Sequence, residues 1–321
     1  MYYLGVDGGG TKTLCAICDE RGRLKATALS GCGNHQINED LARTNIRAAV
    51  NGALANAGLD RKDIEYAVFG LAGADREADL SILRPMLETL QFRSWEVVCD
   101  TVIALWAGTR RQYGVVLICG TGTNCYGVNK NGDGYQCGGF GYAFGDFGGS
   151  ELSVEAFRSV IRAWDGRGEQ TLLTGAMLQT LGYPTVEAMR DDFLNNGRDV
   201  PPHLVPLLFE TAPKDAVARG ILRAQGEELG LAAAAVIRRL DMQREQFDLV
   251  MAGSILSRGD SRFILPYIRE AAEQAAPKCC LRVLTAQPVA GALLMAMQAG
   301  GRAVETGVYE TLREALKIRS E

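Results

Sequence analysis

The sequence has few of the side chains from which metal centres and hydrolase sites are often built. Only two histidines, His35 and His203, occur among 321 residues, which disfavours a Ser-His-Asp triad or a histidine-rich zinc site. The nine cysteines are odd in number and follow no disulfide framework, so we expect free thiols in a reducing compartment. Cys15 and Cys18 form a C-x-x-C pair within a strand-like stretch, and no second pair follows at zinc-finger spacing.

Long apolar runs and an excess of positive charge are also missing. The sequence has no run of about 18 apolar residues, so no membrane-spanning helix is predicted. The net charge is −4, from 34 Lys and Arg against 38 Asp and Glu, which disfavours nucleic acid and membrane surfaces as partners. The N-terminal residues lack the basic and apolar regions of a signal peptide, so we expect a cytoplasmic protein.

One order of predicted strands and helices occurs twice along the sequence. Its length suggests two domains, and 47% hydrophobic residues are enough for a sizeable core. Three short strands open the chain and are followed by alternating helices and buried strands. The same order restarts near Tyr113, although the two halves share little sequence. This pattern predicts an α/β protein whose two halves enclose a cleft at the carboxyl ends of their strands.

The predicted domain limits follow from this repeat of element order. We expect an N-terminal domain over 1–112, joined by a C-terminal helix within 301–321, and a C-terminal domain over 113–300. The proline-containing stretch 165–213 has no counterpart in the first half. It predicts a helical insertion that acts as a lid or as an oligomer contact.

Two glycine-rich turns are the first candidates for chemistry. The turn Asp7–Thr13 follows the first strand, and its successive N–H groups could form an anion-binding nest. Asp7 could hold a hydrated Mg²⁺, and Thr11, Lys12 and Thr13 offer further donors to phosphate. Thr11 stands where a Walker A loop needs glycine, and a glycine-rich hairpin with a capping aspartate is the alternative.

The second turn, Gly120–Asn124, occupies the equivalent place in the second half. The two turns would face each other across the cleft and could hold a polyphosphate from both sides. Asp100 ends another strand and could accept a proton from a substrate hydroxyl, or it could simply cap the following helix.

Two further segments are weaker candidates. Residues 114–149 hold 12 of the 38 glycines, and the only carboxylate in the run Cys137–Ser150 is Asp146, which could bind substrate hydroxyls. A flexible hinge is the alternative, and no other protein-kinase motif accompanies the Asp-Phe-Gly triplet found there. The strand that leads through Gly253 to Ser254 could admit an adenine or a ribose, although it is also an ordinary strand–turn–helix.

In their order and spacing, these strings resemble the BadF/BadG/BcrA/BcrD ATPase family, and within it the N-acetylglucosamine kinase branch. The segments that carry the resemblance are Gly5–Thr13, Gly33–His35, Gly120–Cys125 and Cys137–Gly141. The resemblance spans nearly the whole chain and weakens over 165–213. It implies an α/β protein of two ribonuclease H-like domains with an interdomain cleft, as in the acetate and sugar kinase/Hsp70/actin superfamily.

The resemblance also implies an activity and a set of roles. The expected reaction is ATP-dependent phosphorylation of the 6-hydroxyl of an N-acetylated amino sugar, with N-acetylglucosamine as the first candidate, by a homodimer. Asp7 would face Mg²⁺, and Asp100 would be the base that takes the proton from the sugar. The ATP-binding residues would be Gly9, Gly10, Thr11, Lys12, Thr13, Gly120, Thr121, Gly122, Thr123, Gly253 and Ser254. The sugar-binding residues would be Asn34, Asp100, Thr121, Asn124, Gly139, Phe140, Gly141 and Asp146.

Two departures from the family pattern leave the sugar open. Phe147 stands where many relatives carry Glu, and Gln36 stands where some carry an aromatic residue. An ATPase that activates a dehydratase is the alternative, but the cysteine string that holds its iron–sulfur cluster does not occur. A sugar sensor is disfavoured because Asp7 and Asp100 are both present. Zinc-containing sugar kinases are set aside because Cys137 is a lone cysteine.

Overall fold

The computed structural model describes residues 1–257 and 261–318, so the last three residues of the predicted C-terminal segment lie outside it. The first half contains five strands and three helices. In chain order they are β1 (Tyr2–Gly8), β2 (Thr13–Asp19), β3 (Leu24–Ser30), α1 (Glu39–Ala57), β4 (Ile64–Leu71), α2 (Glu77–Glu88), β5 (Trp95–Cys99) and α3 (Asp100–Gly108).

The second half repeats this order and adds helices. Its elements are β6 (Gly114–Cys119), β7 (Thr123–Val128), β8 (Gly134–Gly138), α4 (Gly149–Trp164), α5 (Leu173–Leu181), α6 (Val186–Asn196), α7 (Val205–Thr211), α8 (Ala216–Arg239), β9 (Asp248–Ala252), α9 (Ser254–Ser257), α10 (Leu265–Ala275), β10 (Cys280–Val283), α11 (Val289–Ala299) and α12 (Thr306–Ala315). None of the helices in the described ranges is long and apolar enough to cross a membrane.

Each half is built on a mixed five-stranded sheet of the same topology. The strand orders are β3-β2-β1-β4-β5 and β10-β9-β6-β7-β8. In both sheets the first three strands along the chain pair antiparallel, and the remaining two continue in parallel from the first. The carboxyl ends of the parallel strands therefore share one edge of each sheet, where α/β proteins bind their ligands.

Local sequence explains where several elements begin and end. The Asn38 side chain accepts a hydrogen bond from the Leu41 N–H, 2.9 Å away, and so caps α1. Gly58 ends the same helix with φ of 66°, in the left-handed region that glycine adopts freely. Residues next to this helix in the sequence thus determine both of its ends. The apolar strand β4 is buried over most of its length, as expected for a central parallel strand.

Helices α3 and α11 lie between the two sheets and join them in one apolar core. Buried side chains from both sheets belong to this core, among them Val68 of the first and Val250 of the second. The two helices approach so closely that a Cβ at Gly291 would lie only 1.8 Å from the carbonyl oxygen of Ile103. Glycine is therefore required at this contact, because no side chain could fit there.

The chain-order limits of the two domains stay a prediction. We propose that the N-terminal domain also takes in α11, because this helix packs on β1 and β4. Helix α12 packs nearby: the Tyr309 hydroxyl donates to the carbonyl of Ala107 at the end of α3. Residues 165–213 form α5, α6 and α7, and their buried side chains share a core with α4 and α8.

Candidate active site

The first glycine-rich turn joins β1 to β2 at the edge where the parallel strands end. The Gly9 N–H donates to the carbonyl of Lys12, 2.9 Å away, and closes the turn. The carbonyl of Gly9 accepts from the N–H of Gly33 at 2.9 Å, which ties the turn to the segment that carries Asn34. Gly10, Thr11 and Lys12 are exposed at the tip, where a ligand can reach them.

Thr13 has a different position from the other members of this predicted phosphate loop. Its side chain is fully buried, and its hydroxyl donates to the carbonyl of Gly31 at 2.9 Å. The backbone of Thr13 pairs with Gly8 in the sheet. The buried side chain of Thr13 therefore stabilises the turn, and we do not include it among the proposed ATP contacts.

The second glycine-rich turn joins β6 to β7 and packs against the start of α4. The Gly120 N–H donates to the carbonyl of Gly122, and the Ser150 N–H donates to the carbonyl of Thr121, at 2.9 and 3.1 Å. Because a Cβ at Gly148 would lie 2.6 Å from the Gly122 Cα, glycine at position 148 lets the helix approach. The turn is thus held in shape by the residues behind it, while Thr121 and Gly122 remain exposed.

Three carboxylates lie at or beyond the carboxyl ends of neighbouring strands of the first sheet. Asp7 lies in β1, Asp75 lies after β4, and Asp100 lies after β5, all half-buried. Burial raises the pKa of Asp7 to about 7, and the charge of Asp100 adds to this effect while Lys12 opposes it. Burial likewise raises the pKa of Asp100 to about 6; the Cys99 thiol opposes the rise and the charge of Asp75 adds to it.

Asp75 was not identified from the sequence. The signal that could have revealed it is its position shortly after the buried strand β4, since carboxyl ends of adjacent parallel strands meet at one edge. Asp100 does begin α3, but the N-cap position is taken by Cys99, which makes no capping hydrogen bond from its side chain. The alternative in which Asp100 serves only as a helix cap therefore loses support.

Asn34 lies in a turn that is braced by a buried polar cluster. Its side-chain oxygen accepts from the Gln36 N–H at 2.9 Å. The side chains of His35 and Gln36 reach one oxygen of Asp79, at 3.2 and 3.0 Å. Hydrogen bonds from Arg76 are the main cause that holds the pKa of Asp79 well below its usual range. Gln36, at a position predicted to affect an N-acetyl pocket, thus helps to fix the turn that carries Asn34.

The predicted sugar residue Asp146 organises the glycine-dense segment between β8 and α4. Its carboxylate accepts from the N–H groups of Gly139, Phe140 and Gly141, at 3.1, 2.6 and 2.5 Å. Gly139 and Gly141 have φ of 88° and 96°, which glycine adopts without strain. Asp146 is buried, and its carboxylate holds this loop in shape.

Asn124 connects the second half of the molecule to the carboxylates of the first. Its Nδ2 lies 3.9 Å from the Sγ of Cys99. Its Oδ1 is buried and has no hydrogen-bond partner among the described residues. A buried acceptor without a partner is costly, so a donor from a bound ligand would relieve that cost.

A cavity of about 530 Å³ opens beside the second glycine-rich turn. Gly120, Thr121 and the predicted residue Ser254 form one side of it. Gly253 lies directly beneath, where a Cβ would come within 2.3 Å of the Cys119 carbonyl oxygen. The opposite wall comes from the insertion and was not predicted as part of the site; it comprises Pro202, His203, Val205, Pro206, Phe209 and Glu210.

Comparison with known proteins gives consistent matches over most of the chain. The model of the BadF/BadG/BcrA/BcrD ATPase family matches residues 4–296. The chain is 29% identical to the N-acetylmuramic acid/N-acetylglucosamine kinase of Clostridium acetobutylicum, over 80% of this chain and 86% of that protein. It is also 29% identical to the N-acetyl-D-glucosamine kinase of Dictyostelium discoideum, over 92% of this chain and 97% of that protein.

Solved structures show the same fold. The candidate N-acetylglucosamine kinase of Chromobacterium violaceum superposes with a TM-score of 0.68 at 24% identity, over 92% of this chain and 98% of that one. A ROK family glucokinase of Streptomyces griseus, solved with glucose and AMPPNP, gives a TM-score of 0.61 at 20% identity, over 93% and 100% of the two chains. The predicted two-domain, actin-like ATPase fold is confirmed.

Proposed function

The chain belongs to the BadF/BadG/BcrA/BcrD ATPase family, as its motifs predicted, and on that basis we propose that it is an ATP-dependent kinase of an N-acetylated amino sugar. The observation that carries this proposal is the position of Asp100. Its half-buried carboxylate, with a pKa raised to about 6, lies at the sheet edge that also carries the first glycine-rich turn. The names of two relatives with 29% identity support the substrate class.

Asp100 is our candidate for the general base. At neutral pH its carboxylate is ionised and can accept the proton of a sugar hydroxyl while that oxygen attacks the terminal phosphate. A pKa near 6 makes it a stronger base than an ordinary aspartate without neutralising it at pH 7. We propose the 6-hydroxyl as the attacking group. Little further machinery is needed, because phosphoryl transfer depends mainly on positioning and charge stabilisation.

Asp7 is our candidate for the magnesium ligand. No group of three or more His, Cys, Asp or Glu side chains in residues 1–257 and 261–318 could hold a metal ion alone. Mg²⁺ usually needs only one or two protein carboxylates, with phosphate oxygens and waters completing its shell. Asp7 fits this role, because burial and then the charge of Asp100 raise its pKa, and a cation bound to Asp7 would offset both effects. When bound, Mg²⁺ would neutralise charge on the transferring phosphoryl group.

We propose that the two glycine-rich turns hold the triphosphate and that the cavity of about 530 Å³ takes the nucleoside. Gly9 to Lys12 would contact phosphate from the first half, and Gly120 to Thr123 from the second. The apolar wall that includes Phe209 suits a flat base, and Ser254 lies at the polar side. In this proposal the insertion also lines the nucleotide site, and its role as a lid or as an oligomer contact stays a prediction.

The sugar would lie between Asn34, Asp100 and Asn124, with the loop Gly139–Gly141 as its outer wall. The unpartnered Oδ1 of Asn124 would accept a hydrogen bond from the sugar. We propose N-acetylglucosamine as the first substrate to test, because both curated relatives described above are named for it. Phe147 is partly buried and packs against the apolar core of the second half.

We also propose that the protein is a cytoplasmic homodimer. All nine cysteines lie in the described part of the chain as free thiols, which suits a reducing compartment. Light scattering coupled to size-exclusion chromatography would measure the oligomeric state, and a monomer would contradict this proposal.

The decisive assay measures ADP release from Mg-ATP with and without each member of a panel of sugars. We expect strong stimulation by one N-acetylated amino sugar and little ATP hydrolysis without it. Hydrolysis that no sugar stimulates would contradict the kinase proposal and favour the dehydratase-activator alternative, which an iron assay would then examine. If a neutral sugar were the best substrate, the kinase proposal would stand and only the proposed specificity for an N-acetylated sugar would be contradicted.

A further inference from the structure

The sulfur of Cys99 lies between two carboxylates of the candidate active site. Its Sγ is 2.9 Å from Oδ1 of Asp75 and 3.2 Å from Oδ1 of Asp100. Cys99 is 6% exposed, so neither contact is made through loosely held surface side chains. A thiol has one hydrogen, and hence it can donate to only one of the two carboxylates at a time.

These contacts link two strand ends. Asp75 belongs to the connection after β4, whereas Cys99 ends β5 and Asp100 begins α3. Strands β4 and β5 are adjacent and parallel, with Leu71 paired to Cys99. A contact from Asp75 to the sulfur therefore fixes the end of β5 against the connection that follows β4.

The same contacts distinguish the two oxygens of the Asp100 carboxylate. Oδ1 faces the sulfur and accepts the thiol hydrogen whenever that hydrogen is not directed at Asp75. Among the described residues, the other hydrogen bond to this carboxylate comes from the backbone N–H of Thr101, and no second side chain donates to it. We expect Oδ2 to be the oxygen that meets the substrate hydroxyl. A base held through one oxygen keeps a constant direction for the other, and direction is what a reaction that depends on positioning requires.

We propose that Asp75 and Cys99 are positioning residues for the carboxylate of Asp100. The one thiol hydrogen alternates between the two carboxylates, so the sulfur stays between them and Oδ1 of Asp100 stays against it. This inference rests on the proposed kinase function. It differs from a purely structural role because it acts on the chemical step. Loss of the pair should therefore lower kcat and leave the KM values for ATP and sugar nearly unchanged.

The test compares Cys99→Ala, Cys99→Ser and Asp75→Ala with the wild type. We expect Cys99→Ala to lower kcat roughly tenfold, since small misplacements of a catalytic group cost that much or more. Cys99→Ser keeps a donor at the same place and should restore most of the activity. Asp75→Ala should resemble Cys99→Ala, and the double variant should be no worse than either, because both changes remove the same support.

Cys15→Ala is the matched control, because it removes a thiol buried in the core of the first half. It should lower the melting temperature without changing kcat per folded molecule. If Cys99→Ala does not fold, the half-buried Asp75→Ala carries the same prediction.

The outcomes separate this inference from the proposed function. An active wild type with unchanged kcat in Cys99→Ala, or with raised KM values instead, would overturn the positioning role. A kcat of Cys99→Ser as low as that of Cys99→Ala would also overturn the positioning role. A wild type without sugar-dependent turnover would overturn the proposed function, and this inference with it.

Discussion

Replacing Asp100 by asparagine should abolish turnover and at the same time stabilise the folded protein at alkaline pH. Burial raises the pKa of this carboxyl from 3.8 to about 6. Since a tenfold change in the ionisation equilibrium corresponds to about 1.36 kcal/mol, the charged form costs the folded state about 3 kcal/mol at pH 8. Asparagine carries no charge and removes this cost.

The sign of the pH dependence follows from proton binding. Because folding raises the pKa of Asp100, the folded state binds more protons than the unfolded state between about pH 4 and 6. The contribution of Asp100 to the free energy of unfolding therefore falls as the pH rises through that range. The advantage of Asp100→Asn should therefore be near its full value at pH 8 and about half of it at pH 5.

Urea unfolding of the two proteins at pH 5 and pH 8 would measure this difference. Asp40→Asn, an exposed change at the start of α1, is the matched control and should alter stability by no more than about 0.5 kcal/mol. If Asp100→Asn were no more stable than the wild type at pH 8, or if its advantage did not depend on pH, the argument from burial would be refuted.

Three further changes test other parts of the site. The kcat/KM of the wild type should fall about tenfold per pH unit below pH 6, as Asp100 becomes protonated, and a flat profile down to pH 5 would exclude it as the base. In Gly148→Ala the new Cβ would lie 2.6 Å from the Gly122 Cα, where ordinary contact begins at 3.4 Å, so the second turn must shift by about 0.8 Å. We expect kcat/KM for ATP to drop roughly tenfold, whereas Gly175→Ala, whose Cβ would meet no described atom within 4 Å, should change nothing. Asp146→Ala frees three N–H groups of the loop it holds and should raise the KM for the sugar more than that for ATP; equal effects on both would contradict its local role.

Much of the fold could be predicted from the sequence because its determinants are local. The cap of α1 by Asn38 and its end at Gly58 depend only on residues next to the helix in the sequence. The apolar run of β4 marks a central strand wherever it occurs. The repeated order of elements was sufficient to indicate two α/β halves, and the two sheets have the same topology.

The parts that escaped prediction depend on contacts between distant segments. Asp75 becomes part of the site only because β4 and β5 are neighbours, and its position after β4 does not by itself reveal that pairing. Thr13 belongs to a glycine-rich string, yet pairing with β3 and the Gly31 carbonyl buries its side chain. The insertion wall that includes Phe209 meets Ser254 from far along the chain. The spacing of residues in the sequence does not by itself predict contacts between segments that are far apart along the chain.

The central claim is that this chain transfers phosphate from ATP to an N-acetylated amino sugar with Asp100 as the base. The most direct measurement is phosphorus NMR of the products formed from Mg-ATP and N-acetylglucosamine by the wild type and by Asp100→Asn. We expect ADP and a sugar 6-phosphate from the wild type, and unchanged ATP with the variant. Free phosphate in place of a sugar phosphate, or an equal yield of sugar phosphate from both proteins, would contradict it.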